Sequence, residues 1–305
     1  MGRFSGTVSV LAVAVAVGSL AACGSGAQGG GAPRGDCPVA PVRVVVSVSQ
    51  WGDIVQRLAG DCGDVSTIVT GSSGDPHDYE PSPSDTAELG DAKLVMMNGL
   101  GYDPWVGKAL DTLDHRPTVI DAGKVAGLHD GDNPHIWYGP SFVYEVAKAV
   151  TVRLAELAPK AVAYLDARHR AWRASMAPYD AEIARITPAA RGKTYGATEG
   201  VFDDMAHAVG LVNETPPGYR RATANGSDPA PGDVHDFQQA LADGRMAVLV
   251  FNTQTEGAIP DQARREAETA RVPVVDVTET VPTGARSFVS WQVGQLRRLA
   301  AALGA

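Results

Sequence analysis

The sequence has no second hydrophobic run to match its first, and the first is short. A helix crossing a bilayer needs roughly 20 apolar residues. The run at 8–20 falls short of that and no later segment approaches it. Aromatic residues make up only 6% of the chain, which argues against a wide aromatic-lined pocket for a large ligand. Basic residues are outnumbered, 26 against 35 acidic, for a formal charge of −9. That balance argues against nucleic acid as a partner and permits cation binding. There is no His-Glu-x-x-His helix of the kind that holds a catalytic zinc, and no internal repeat. Cysteine is limited to Cys23, Cys37 and Cys62.

The N-terminus fixes the expected compartment. Arg3 is the sole charge in 1–22, and the apolar run ends in Leu20-Ala21-Ala22-Cys23. A short apolar core before small residues reads as a secretory signal. The Leu-Ala-Ala-Cys ending resembles a bacterial lipobox, which implies cleavage before Cys23 and lipid on its sulfur. The alternative is an ordinary signal peptide with a chance cysteine. Residues 24–35 are dominated by Gly and small residues and read as a flexible tether. Cys37 and Cys62 then remain, and an oxidising compartment favours a disulfide between them over two reduced buried thiols.

Roughly 270 residues are left to fold, enough for one large domain or two lobes. Strand patterns at 42–48, 65–70, 93–98 and 117–120 alternate with helical patterns at 51–58, 83–89 and 103–113. Such alternation argues a parallel sheet covered on both faces. Residues 141–190 differ: Gly is nearly absent and Ala, Glu, Arg and Leu dominate. They read as a helix over 141–157 and, with Pro159 at its start, a long one over 160–186. Alternation resumes with strands at 193–197, 246–251 and 272–277 and helices at 201–209, 234–241, 259–270 and 287–303. The expected fold class is α/β: two lobes with mostly parallel sheets joined by a long connecting helix. The expected divisions are a leader at 1–22, a tether at 23–40, an N-terminal lobe at 41–140, a helical connector at 141–190 and a C-terminal lobe at 191–305.

Metal-competent side chains follow expected strands or precede the connector in four segments, and open parallel sheets bind ligands outside their strand ends. These are Asp75-Pro76-His77-Asp78-Tyr79-Glu80-Pro81, Asn133-Pro134-His135-Ile136-Trp137, Ala197-Thr198-Glu199-Gly200-Val201-Phe202 and Val277-Thr278-Glu279-Thr280. Each has an ordinary reading as well. A histidine in a Pro-rich loop is commonly solvated or capping, Glu199 could cap the following helix, and Glu279 could face water.

Together these segments resemble the zinc and manganese solute-binding proteins of bacterial ABC importers, the cluster A-I receptors, over about 42–302. The resemblance rests on Pro76-His77 followed by Glu80-Pro81, on Asn98-Gly99-Leu100-Gly101, on Pro134-His135-Ile136-Trp137 and on Phe251-Asn252-Thr253-Gln254-Thr255-Glu256. It implies metal ligands at His77, His135 and Glu199. Glu199 stands where zinc-type members place a histidine and manganese-type members a glutamate. The fourth ligand it implies is a carboxylate at the last strand, Glu279 or, alternatively, Asp276. The family's His-rich acidic loop is absent, with His129, Asp130 and Asp132 at best its vestige.

The resemblance implies a monomeric extracytoplasmic receptor, lipid-anchored at the cell membrane through Cys23. It carries zinc or manganese as transported ligand to the permease subunits of an ABC importer, with no nucleic-acid partner and no catalysis. Two imidazoles with two carboxylates suit zinc and admit manganese. Ligands must be deprotonated, so affinity falls as pH drops through imidazole protonation. Two other readings use the same residues: a receptor for a metal chelate such as a siderophore or haem, which asks for a wider aromatic or Arg-rich pocket, and a secreted zinc hydrolase, which needs an open metal position and a nearby base.

Overall fold

The structure is a computed structural model that describes residues 1–2, 35–71 and 79–305. The expected leader beyond residue 2, Cys23, the tether as far as residue 34, and His77 lie outside the described residues.

Strand β1 (Val42–Val48) is almost wholly buried, as a strand covered on both faces must be. It leads into α1 (Ser49–Ala59), a single turn holding Cys62, and β2 (Gly63–Val69). After α2 (Pro83–Asp91) come β3 (Leu94–Met97), α3 (Pro104–Leu110), β4 (Thr118–Asp121) and the short α4 (Ala122–Val125). The four strands form one parallel sheet in the order β2-β1-β3-β4. Val45 pairs with Ser66 on one side and Val95 on the other. Cys37 and Cys62 form a disulfide with Cα atoms 5.1 Å apart.

The middle of the chain is helical: α5 (Pro140–Leu157), a tight turn over Pro159–Ala161, α6 (Val162–Ser175) and α7 (Ala177–Ala190). The long helix expected over 160–186 is therefore two helices with a break at Met176. Pro178 explains the break. It has no N–H for the Ala174 carbonyl, and its ring crowds that carbonyl. The Tyr179 amide donates three residues back to the Met176 carbonyl at 3.0 Å, and the Asp180 amide restarts the regular ladder on the same carbonyl at 3.1 Å.

Then follow β5 (Thr194–Ala197), α8 (Asp203–Ala208), β6 (Val212–Asn213), α9 (Pro217–Ala224), α10 (Pro231–Ala242), β7 (Val248–Asn252), α11 (Ala258–Thr269), β8 (Val274–Val277) and α12 (Phe288–Leu303). Their strands make a second parallel sheet in the order β6-β5-β7-β8. Both sheets thus share one plan, although the sequence shows no repeat. In each, the chain starts at an inner strand, steps outward, then crosses to the other side. The direction reverses between β1 and β3 and between β5 and β7, and ligands of open parallel sheets bind at such reversals.

One continuous apolar core runs from Val44, Val46 and Trp51 through Val146, Val150 and Tyr179 to Val248, Leu296 and Leu299. It therefore ties both sheets to the middle helices. A smaller cluster around Tyr219, Phe237, Leu241 and Leu249 underlies α10 and α11. Among the described residues no helix is long and apolar enough to cross a membrane.

Candidate metal centre

Three of the four expected ligands come together. One ligand-capable atom from each of His135, Glu199 and Glu279 lies within 4.8 Å of the others. Glu199 stands two residues past β5 and Glu279 two residues past β8; His135 precedes the single turn Ile136–Tyr138 that leads into α5. The carboxylates thus come from the second sheet and the imidazole from the loop before the middle helices. His77, the fourth, is outside the described residues. Asp276, the alternative to Glu279, is absent from the cluster and accepts a charged hydrogen bond from Arg264 at 2.7 Å.

The imidazole is held in one tautomer. Asn133 Oδ1 accepts the His135 backbone N–H at 3.1 Å, which fixes which end of the amide faces the histidine. The same oxygen lies 2.7 Å from His135 Nδ1. An oxygen that can only accept requires Nδ1 to carry a proton, so in the neutral ring it is Nε2 that bears the lone pair. Nε2 lies 3.6 Å from Glu279 Oε1, with the two side chains 8% and 12% exposed. Trp137 and Tyr102 set their rings edgewise to the imidazole, 5.3 and 5.9 Å between centroids. The Asn133 amide also donates to the Gly200 carbonyl at 2.7 Å, joining the His135 loop to the Glu199 loop.

Glu279 is anchored from the first sheet. The Tyr102 hydroxyl donates to Glu279 Oε1 at 2.8 Å and accepts from Gln50 Nε2 at 2.8 Å. Gln50 also reaches the Glu279 carbonyl at 3.3 Å. Tyr102 is aimed by a tight turn after β3, where Gly99, Leu100 and Gly101 all have positive φ, at 77°, 57° and 75°. Buried Asp103 closes that turn, accepting the Asn98 and Gly99 amides at 2.7 and 2.9 Å and the Ser47 hydroxyl. Burial pushes the Asp103 carboxyl above the usual range despite these bonds.

Glu199 does not cap the helix that follows. Its Oε2 instead accepts from Asn252 Nδ2 at 2.8 Å and from the Thr255 hydroxyl. Behind it, at the start of α8, Asp203 accepts from the Tyr195 hydroxyl at 2.6 Å and burial raises its carboxyl. Burial, reinforced by the Asp203 charge, lifts Asp204 to about 6.

Sequence reasoning missed Gln50, Tyr102, Asn133, Asn252 and Thr255 as parts of the site. Asn252 and Thr255 lie inside the Phe251–Glu256 segment that carries the resemblance and Asn133 adjoins Pro134-His135, so their presence was a signal, but their roles need the contacts. Chemically, the site offers one imidazole nitrogen and two carboxylates, a donor set for a dication.

The family model described as “Zinc-uptake complex component A periplasmic” matches residues 44–302. The chain is 24% identical over 212 residues to the high-affinity zinc uptake system protein ZnuA of Bacillus subtilis, covering 63% of this chain and 65% of that protein. It is 30% identical over 122 residues to the manganese-binding lipoprotein MntA of Halalkalibacterium halodurans, covering 39% of this chain and 40% of that protein. The matches thus span less than two thirds of those relatives. The solved structure of the periplasmic zinc-binding protein TroA from Treponema pallidum superposes with a TM-score of 0.72 at 18% identity, covering 87% of this chain and 99% of that one. The likeness shows the two-lobed parallel-sheet fold. On the match across 44–302, this chain belongs to the zinc-uptake complex component A family.

Proposed function

We propose that this chain is an extracytoplasmic receptor that binds a divalent metal ion, zinc or manganese, and delivers it to the permease subunits of an ABC importer. The observation that carries the reading is the convergence of His135, Glu199 and Glu279 within 4.8 Å. His77 is the fourth ligand in this proposal, on the strength of its place in the Pro76-His77 segment after β2. The ion then takes two imidazoles from the side of the first sheet and two carboxylates from the second. Two negative ligands neutralise a dication, which offsets the cost of holding it away from water.

The receptor works as a monomer and runs no chemistry on its cargo. Four protein ligands leave no open position for an activated water, which a zinc hydrolase requires. The leader over 1–22 is removed, Cys23 carries lipid, and 23–40 tethers the lobes at 41–140 and 191–305, joined through 141–190, to the outer face of the membrane. Metal bridges the lobes, closure is limited to a small adjustment, and the importer reads that closed form. Titration of the wild type and of His77→Ala with zinc and with manganese tests the ligand set. The variant is expected to lose most affinity for both; an unchanged titration rejects the assignment.

A further inference from the structure

Glu199 is presented to the site with one oxygen already committed. Asn252 is 2% exposed and sits at the end of β7. Its Oδ1 accepts the Gln254 backbone N–H at 3.1 Å, and a backbone N–H can only donate, so the amide orientation is set. Nδ2 therefore faces Glu199 Oε2, at 2.8 Å. The Thr255 hydroxyl donates to the same oxygen. Two donors occupy both lone pairs of Oε2 and leave Oε1 for the cargo. The loop is itself braced. Gln254 Nε2 donates to Thr280 Oγ1 at 2.6 Å, and Thr280 N–H returns a bond to Gln254 Oε1 at 2.8 Å. Thr280 adjoins Glu279, so one loop steadies the approach of both carboxylates.

Resting on the receptor reading, we propose that Asn252 and Thr255 are specificity-determining residues. They confine Glu199 to one oxygen and so bias the site toward zinc over manganese. Zinc is satisfied by four nitrogen and oxygen ligands in a tetrahedron, whereas manganese favours six, mainly oxygen. With Glu199 held to one oxygen, the chain supplies four donors, or five when Glu279 binds through both of its own. Six is out of reach without breaking two charge-assisted bonds or admitting water. The bias adds to the general order in which zinc outbinds manganese at a given site.

The test is a chelator competition giving zinc and manganese dissociation constants for the wild type, Thr255→Val and Asn252→Ala/Thr255→Val. X-ray absorption on the zinc-loaded wild type and double variant accompanies it. Freed to chelate, Glu199 is expected to weaken zinc binding by about ten- to a hundred-fold while manganese loses less, so the ratio of the two constants narrows by about ten-fold. The wild-type spectrum is expected to give four light-atom ligands, and the double variant more. Thr255→Val preserves shape, and its ratio is expected to narrow in the same direction where the double variant does not fold. A wild-type ratio retained by a folded, metal-binding variant overturns the inference alone, as does a two-oxygen Glu199 in the wild-type zinc complex. A wild type that binds neither metal overturns the receptor reading and this inference with it.

Discussion

At the residue scale the candidate site depends on groups that never touch the cargo. Asn133 holds His135 Nδ1 at 2.7 Å and so presents Nε2 to Glu279. Leucine at 133 keeps the volume and loses the acceptor. Asn133→Leu is expected to lower zinc affinity by about ten- to a hundred-fold in calorimetric titration. The ¹⁵N shifts of the His135 ring should then report mixed tautomers in place of one. Asp204 makes a separate prediction, about stability. Its folded value of about 6 lies above the ordinary 3.8, chiefly through burial. Between those two values the folded chain binds the extra proton and the unfolded chain does not, so stability falls as pH rises through that window. Above it, the charged form carries a constant penalty. Because Asp204 is only half-buried, Asp204→Asn is expected to gain a discounted ~1 kcal/mol at pH 8 and little at pH 4, measured by urea unfolding.

At the element scale the turn after β3 is the most exacting piece of backbone. Gly99 has φ 77°, and a Cβ there would sit 2.2 Å from Asp121 Oδ1. Gly99→Ala is expected to cost about 2 kcal/mol in denaturant unfolding, from the left-handed backbone and the clash together. Metal affinity should weaken as well, since Tyr102 is aimed by the same turn. The disulfide closes a separation of 25 residues. Replacing both cysteines by serine is expected to cost about 3.5 kcal/mol on the chain-entropy model, seen as a lower unfolding midpoint. The elements were legible where burial imposes a pattern. β1 reads directly as a strand because Val44, Val45, Val46 and Val48 are all buried. The two-residue β6 is too short to carry a period. The divided connector was missed because periodicity continues across Met176 while the backbone bonding does not; Pro178 was the readable signal.

At the scale of the whole molecule, two sheets of one plan bring their strand-end loops to a common place. Glu199 and Glu279 were legible because they stand directly after strands, and His135 because it sits in a recognisable Pro-His-aromatic segment. The side chains that hold them were not. Tyr102 meets Glu279 across 177 positions of sequence and Asn252 meets Glu199 across 53, distances over which local pattern carries no information. The shared strand order was equally hidden, since it constrains topology and leaves the residues free to diverge. The receptor reading stands or falls on one dication held among His77, His135, Glu199 and Glu279. Anomalous diffraction at the zinc edge, from crystals of the zinc-loaded protein, locates that ion without reference to any assumed ligand. A single strong peak within bonding distance of all four side chains is expected; a strong peak elsewhere on the surface, with none between these residues, would contradict the reading.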